Sequence, residues 1–189
     1  MRKALLTLLV VVLSVSACSS GSKPPPRPGI DGLQTFTEEP KERHTTGHVT
    51  YDHTPPAGGM HWPPSAEGVY GWLRCGVYTE PVPNEFAVHS EEHGAVWLTY
   101  QPGYSSVGLL AAMSQLNPEY VLVSPYPGQD SPVIATTWGL QLKVQSADDR
   151  RLVQFIQAYA GGNQGGEKGA TCATKGFTPE QARAYDAQK

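Results

Sequence analysis

Ala95-Val96-Trp97-Leu98-Thr99-Tyr100 is the stretch from which the fold is read. Apolar residues stand at both odd and even positions, so the segment predicts a central strand of a sheet covered on both faces. Pro102-Gly103 ends it. Leu109, Leu110, Met113 and Leu116 then recur at helical spacing and predict an amphipathic helix stopped by Asn117-Pro118, with Met113 assigned to the core. Tyr120-Val121-Leu122-Val123-Ser124 reads as a second buried strand, and Pro125 to Gly128 as a turn. Strand, helix and strand joined by short links predict a right-handed parallel crossover.

Toward the C-terminus, Val133 to Thr137 reads as a third strand. Leu140, Leu142 and Val144 alternate with Gln141, Lys143 and Gln145, as in a strand with one wet face, and Gly139 bends or bulges the join. Ser146 to Asp149 offers an N-cap to a helix whose stripe is Leu152, Phe155, Ile156 and Tyr159, ending at Gly161-Gly162. The Gly-rich run to Gly169 reads as a flexible connection. Thr178-Pro179-Glu180-Gln181 carries the cap and first-turn proline of a last short helix. The expected architecture is α+β, a small mixed β-sheet with two packed helices and a loop-rich N-terminal half; a ferredoxin-like topology is one arrangement of these elements.

N-terminal to Ala95 the periodicity fades. Residues 40 to 92 are rich in Pro, Gly and aromatics; Val49 and Tyr51 suggest a short strand, and the remainder reads as loop. A long irregular segment in a compact domain is often functional. All six histidines of the chain fall here, at 44, 48, 53, 61, 89 and 93.

The far N-terminus reads as a targeting segment. Arg2 and Lys3 precede an apolar run from Ala4 to Leu13 and the small-residue stretch to Cys18, which predicts a signal peptide over 1–17. Val15-Ser16-Ala17-Cys18 resembles a bacterial lipobox, so Cys18 is the expected acylation site. Residues 18–39, rich in Pro and Ser, read as a tether holding a globular domain, 40–175, off the membrane, with a short helix or tail over 176–189. The expected location is the extracytoplasmic face of a cell membrane, or the periplasm.

Loss of Arg2 and Lys3 with the leader leaves 12 Lys and Arg against 17 Asp and Glu, a formal charge of −5. No basic cluster interleaves with aromatics, which argues against a nucleic-acid partner and assigns membrane attachment to the lipid. With Cys18 acylated, Cys75 and Cys172 remain, and in an exported protein a disulfide between them is the economical reading. On the chain-entropy model a loop of this length contributes on the order of 4 to 5 kcal/mol. A thiolate metal ligand is the alternative.

The blocks His53-Thr-Pro-Pro-Ala-Gly-Gly-Met-His61, Cys75-Gly-Val-Tyr78, Val88-His-Ser-Glu-Glu-His-Gly-Ala-Val-Trp97 and Val121-Leu-Val-Ser-Pro-Tyr-Pro127 resemble those of a bacterial secreted or membrane-attached family known only as a domain of unknown function. The resemblance covers roughly residues 40 to 175. It implies that the blocks act as one unit and transfers no activity. Where this chain has Glu91 the resemblance implies that relatives often have leucine, which favours Glu92 as the carboxylate of interest.

The chemistry is argued from the residues. Imidazoles bind Cu, Zn, Ni and Fe, and a thioether shifts preference toward copper. His53, Met60, His61, His89 and His93 form the expected ligand pool, with Glu92 orienting an imidazole. His44 and His48, near the tether, are expected to be solvated. Copper is favoured over zinc, for storage, delivery to a protein partner or sensing. Buried histidines bonded to backbone or carboxylate are the structural alternative.

Two further classes compete. His89-Ser90-Glu91-Glu92-His93 fits the inverted zinc-peptidase pattern, but that chemistry needs a helix, and Gly94 with a strand at Ala95 argues against a long one. A non-enzymatic interaction module would use Trp62, Tyr70, Trp72 and Tyr78 as its surface. No nucleophile elbow surrounds Ser90, and Gly161 to Gly169 lacks the helix and lysine of a phosphate loop.

Overall fold

The computed structural model describes residues 29–37, 44–63, 71–167 and 169–188. The expected leader, Cys18, most of the tether and Tyr70 lie outside the described residues. A six-stranded mixed sheet runs through the domain in the order β1 (Leu33–Thr35), β6 (Leu140–Val144), β5 (Val133–Thr137), β3 (Val96–Tyr100), β4 (Val121–Pro125), β2 (Gly76–Val77). Four helices accompany it: α1 (Asn84–Glu92), α2 (Val107–Ser114), α3 (Arg150–Tyr159) and α4 (Pro179–Asp186). The class is α+β.

Strand β3 is central, as its composition requires. It runs parallel to β4, with Trp97 opposite Leu122, and antiparallel to β5, with Trp97 opposite Thr136. Alternation sends Val96, Leu98 and Tyr100 to one face, where they join Val121, Val123, Ala135, Leu142 and the α3 stripe of Leu152, Phe155, Ile156 and Tyr159. Trp97 and Leu122 face the other way, onto Phe86 and Ala87 of α1 with Trp62, Trp72, Leu73, Phe177 and Ala182. Helix α2 links β3 to β4 as a crossover between neighbouring parallel strands. A ferredoxin-like unit instead splits such a pair with an intervening strand, so that topology is not the one adopted.

Several local expectations change. Leu109 and Leu116 of the expected helical stripe are about half exposed, and Leu110 is buried. Helix α2 ends at Ser114, which leaves Leu116 beyond it. The expected wet face of β6 is half dry, because Gln141 is buried and its amide donates to the Pro55 carbonyl at 3.0 Å. The 53–61 loop covers that face, and Lys143 reaches Asp130 at the rim. Val49 and Tyr51 form no strand; the Val49 amide donates to the Glu85 carboxylate, and the Tyr51 hydroxyl to the Met60 carbonyl.

The folded unit extends past both expected boundaries. Ile30 is buried, and Leu33–Thr35, within the stretch assigned to the tether, pairs antiparallel with β6. A three-residue strand with one apolar side chain leaves almost no periodic signal. At the other end, α4 carries the expected capping box between Thr178 and Gln181 and buries Ala182. Phe177 exchanges backbone hydrogen bonds with Trp72 and Arg74, so the tail is part of the second core. Cys75 and Cys172 form the expected disulfide, their Cα atoms 4.9 Å apart. Among the described residues no helix is long and apolar enough to cross a membrane.

The largest departure is α1, in a region read as loop. Pro83 stands at its N-cap and Glu85 in its first turn, where a negative charge complements the helix dipole. Its C-terminus closes with a Schellman motif: the Gly94 amide donates to the Glu91 carbonyl and the Ala95 amide to the Ser90 carbonyl, both at 2.9 Å. Gly94 has φ +95°, and a Cβ there would lie 2.5 Å from the Gly162 carbonyl oxygen. Only glycine therefore permits the immediate turn from α1 into β3.

Candidate metal centre

Helix α1 is buried from Glu85 to Glu92, polar residues included. Its side chains supply what the surrounding loops lack in regular ladders. The Ser90 hydroxyl accepts from the Leu73 amide and is placed to donate to the Leu73 carbonyl, at 3.0 and 2.9 Å. Glu91 accepts from the Gly58 amide at 2.9 Å. Glu85 and Glu91 thus anchor the His48 to His61 segment through its backbone.

His89 and Glu92 stand three residues apart on α1, a spacing that puts them on one face. Across from them lies His61, fully buried, with Nε2 2.9 Å from Glu92 Oε2 and Nδ1 2.9 Å from the Gly59 carbonyl oxygen. A carbonyl only accepts, so Nδ1 of His61 carries the proton toward Gly59. In the neutral imidazole the Nε2 lone pair then faces the Glu92 carboxylate, an arrangement that calls for a cation or a shared proton between them. An Nδ1–H bonded to a backbone carbonyl is also how metal-ligating histidines are oriented.

His44 completes the group. It pairs with His61 in a parallel β-bridge, with the Thr45 amide donating to the His61 carbonyl at 2.9 Å, and its Nε2 lies 3.9 Å from Glu92 Oε2. One ligand atom each from His44, His61, His89 and Glu92 lies within 4.8 Å of all the others. Atoms on opposite sides of one ion, each bonded at about 2.1 Å, stand at most about 4.2 Å apart. In a tetrahedral site such atoms stand about 3.4 Å apart, so a pair near the 4.8 Å limit must close by about 1 Å or more, and His44, 43% exposed at its side chain, has room to move.

Burial first, then the neighbouring imidazoles of His61 and His93, lowers the pKa of His89 to about 3. It is neutral at physiological pH, and its Nδ1 is buried without a hydrogen-bond partner. His93 caps α1 with its ring stacked on His89 at 5.0 Å and against Trp72 at 4.7 Å; burial lowers its pKa also.

The expected ligand pool is thus divided. His61 and His89 meet; His93 lies beside them in a separate group with Glu92 and Glu167. His53 stacks on Phe36 at 3.7 Å and joins no metal-capable group among the described residues. Met60 is half-buried and lines a surface cleft with Val49, Asp52 and His53. Glu92, expected behind an imidazole, contacts the His61 ring at 2.9 Å and also falls within the metal-capable group. His44, expected to be solvated, is exposed and also joins the metal-capable group, which only its pairing with His61 could have revealed. His48 lies 3.6 Å from both Glu85 and Asp186, on the outer side of α1. Trp62 and Trp72 are buried in the second core rather than presented as a surface.

A family described as a protein of unknown function, DUF3105, matches residues 43–174, and the chain belongs to it. The match begins one residue before His44 and includes every residue of the group. No curated protein and no solved structure matches the chain.

Proposed function

We propose that this DUF3105 member binds a divalent transition metal through His44, His61, His89 and Glu92, copper before zinc. One observation carries the reading: three imidazoles and a carboxylate, drawn from a loop, a β-bridge and a buried helix, converge within 4.8 Å. Three histidines and one carboxylate suit Cu(II) and Zn(II), and the Irving–Williams order favours copper for such a set. Met60 would add a preference for Cu(I) only by swinging its thioether inward. With the leader and Cys18 acylation expected from the sequence, the ion is held outside the cytoplasm, for storage, sensing or transfer to a partner protein.

The peptidase reading gains its helix, since His89 to Glu92 is helical with His93 as its cap. Against it, His89 and His93 fall in different ligand groups, whereas that chemistry needs both on one zinc with the carboxylate free to activate water. Metal binding without turnover is therefore the reading preferred.

The test is metal content by mass spectrometry after the purified protein is loaded with Cu(II), or separately Zn(II), and desalted. The wild type retains at least one ion per chain, and His61→Ala/His89→Ala loses it. Glu92→Gln, which preserves side-chain shape, weakens binding about 10- to 100-fold or more. Failure of the wild type to retain metal, or equal retention by folded variants, overturns the proposal and leaves the imidazoles as structural groups.

A further inference from the structure

The group formed by Glu92, His93 and Glu167 has no role in the site just described except through Glu92. One ligand atom from each again lies within 4.8 Å of the others. His93 is 7% exposed, and neither of its ring nitrogens makes a hydrogen bond of normal geometry among the described residues, the nearest backbone contact being that of Glu167 itself. An imidazole buried with both nitrogens unsatisfied gives up its hydrogen bonds to water and gains none in return, so the ring is held where something else is expected to meet it. Its Nε2 faces Glu167 Oε2 across 3.9 Å, too far for a hydrogen bond and suited to two ligands of one ion.

A backbone device brings Glu167 there. Gly165 crosses the end of α1 so closely that a Cβ on it would fall 2.3 Å from the Glu92 Cα and 2.4 Å from its carbonyl oxygen. Only glycine allows this crossing. Two residues later the chain presents Glu167 to His93 and Glu92, with its carboxylate half-exposed at the mouth of the site.

We infer that Glu92, His93 and Glu167 hold a second divalent transition-metal ion, and that Glu92 bridges it to the ion at His44, His61 and His89. A carboxylate offers two oxygens and about four lone-pair positions, enough to serve two ions, and carboxylate-rich two-metal sites hold their ions about 3.5 to 4 Å apart. The stacked rings of His89 and His93 then mark the two halves of one dinuclear centre. The inference rests on the mononuclear reading, because the bridging residue is common to both.

The experiment uses Cu(II), counted by mass spectrometry and followed by electron paramagnetic resonance. His93→Ala removes a ring packed on Trp72 and risks unfolding, so Glu167→Gln, at a 53% exposed carboxylate, is the primary variant. The wild type is expected to take two Cu(II) per chain with a magnetically coupled spectrum and half-field signal. Glu167→Gln should take one, with an ordinary mononuclear spectrum. A wild type that takes one Cu(II), unaffected by Glu167→Gln, overturns the second site and leaves the first standing. Two ions in Glu167→Gln place the second elsewhere, at His48, Glu85 and Asp186 for instance, and also overturn it. Two ions without coupling overturn the shared carboxylate. No bound copper removes both readings.

Discussion

The His61–Glu92 contact is the point at which a structural and a metal-binding account first make different demands, and a double-mutant cycle measures it in the metal-free protein. Both side chains are fully buried and their polar atoms are 2.9 Å apart. Breaking a buried, charge-assisted pair by removing one partner costs about 3 to 5 kcal/mol, which sets the expectation for His61→Ala. Glu92→Gln keeps shape and an acceptor oxygen, so its cost is about 1 to 3 kcal/mol, the worth of a hydrogen bond to a charged group. The His61–Gly59 bond and the cavity at residue 61 are lost in both alanine arms and cancel. The double variant should therefore be less destabilised than the sum of the singles by about 2 kcal/mol, inside the range for residues in direct contact. The assay is urea unfolding with chelator present and the Cys75–Cys172 disulfide intact. Additivity within about 0.5 kcal/mol would mean that the imidazole and the carboxylate do not interact, and the argument that His61 Nε2 and Glu92 share a cation or proton would fall with it.

Two further perturbations follow from the same geometry. His89 has a pKa of about 3 in the folded protein against 6.5 in the unfolded chain, so between those values the unfolded state binds more protons. Stability is then full above about pH 6.5 and declines by about 1.4 kcal/mol per pH unit as pH falls toward 3; a His89→Phe variant, if folded, should show a shallower decline in chemical denaturation, and an unchanged slope would contradict the burial argument. Gly94→Ala and Gly103→Ala form a matched pair, since φ is +95° and +85° while only Gly94 faces a backbone carbonyl. Gly103→Ala should cost the left-handed conformation alone, about 1 to 2 kcal/mol, and Gly94→Ala about 1 to 3 kcal/mol more from the clash with Gly162, read as a difference in thermal midpoints; equal costs would mean that the α1 to β3 turn relaxes freely.

The C-terminal half was legible because its elements obey one rule each. Strands β3 and β4 read as buried on both faces, and α3 as a stripe over one of them, from periodicity alone. Helix α1 obeys a different rule. Glu85, His89, Ser90, Glu91 and Glu92 are buried, so no polar face opposes an apolar one, and the pattern that announces a helix is missing. What keeps these groups inside is the backbone of the loops they anchor, at Val49, Gly58 and Leu73, and no local sequence window shows those partners. The metal-capable group was half legible for the same reason. His61, His89 and Glu92 sit in compact blocks that draw attention, whereas His44, and Glu167 of the neighbouring group, enter through chain crossings, a β-bridge to His61 and the passage of Gly165 over Glu92.

Helix α1 buries three carboxylates within nine residues, and each must be answered. Glu85 and Glu91 accept from backbone amides, and that suffices to hold the loop that carries His53 to His61. Glu92 is answered differently. His61 and His44 approach it at 2.9 and 3.9 Å, His89 completes the group, and His93 with Glu167 gathers on the neighbouring side. To satisfy one carboxylate a fold needs a protonated imidazole or donating amides. A structural role would leave the remaining rings as a cost, because burial drives His89 and His93 to the neutral form, in which they add lone pairs to the enclosure and no charge. With its Nδ1 turned to the Gly59 carbonyl, His61 presents Nε2 to the Glu92 carboxylate, and two buried neutral rings stand beside that contact without adding charge; a cation among them would answer all of these groups at once, which is the demand the proposed metal centre meets.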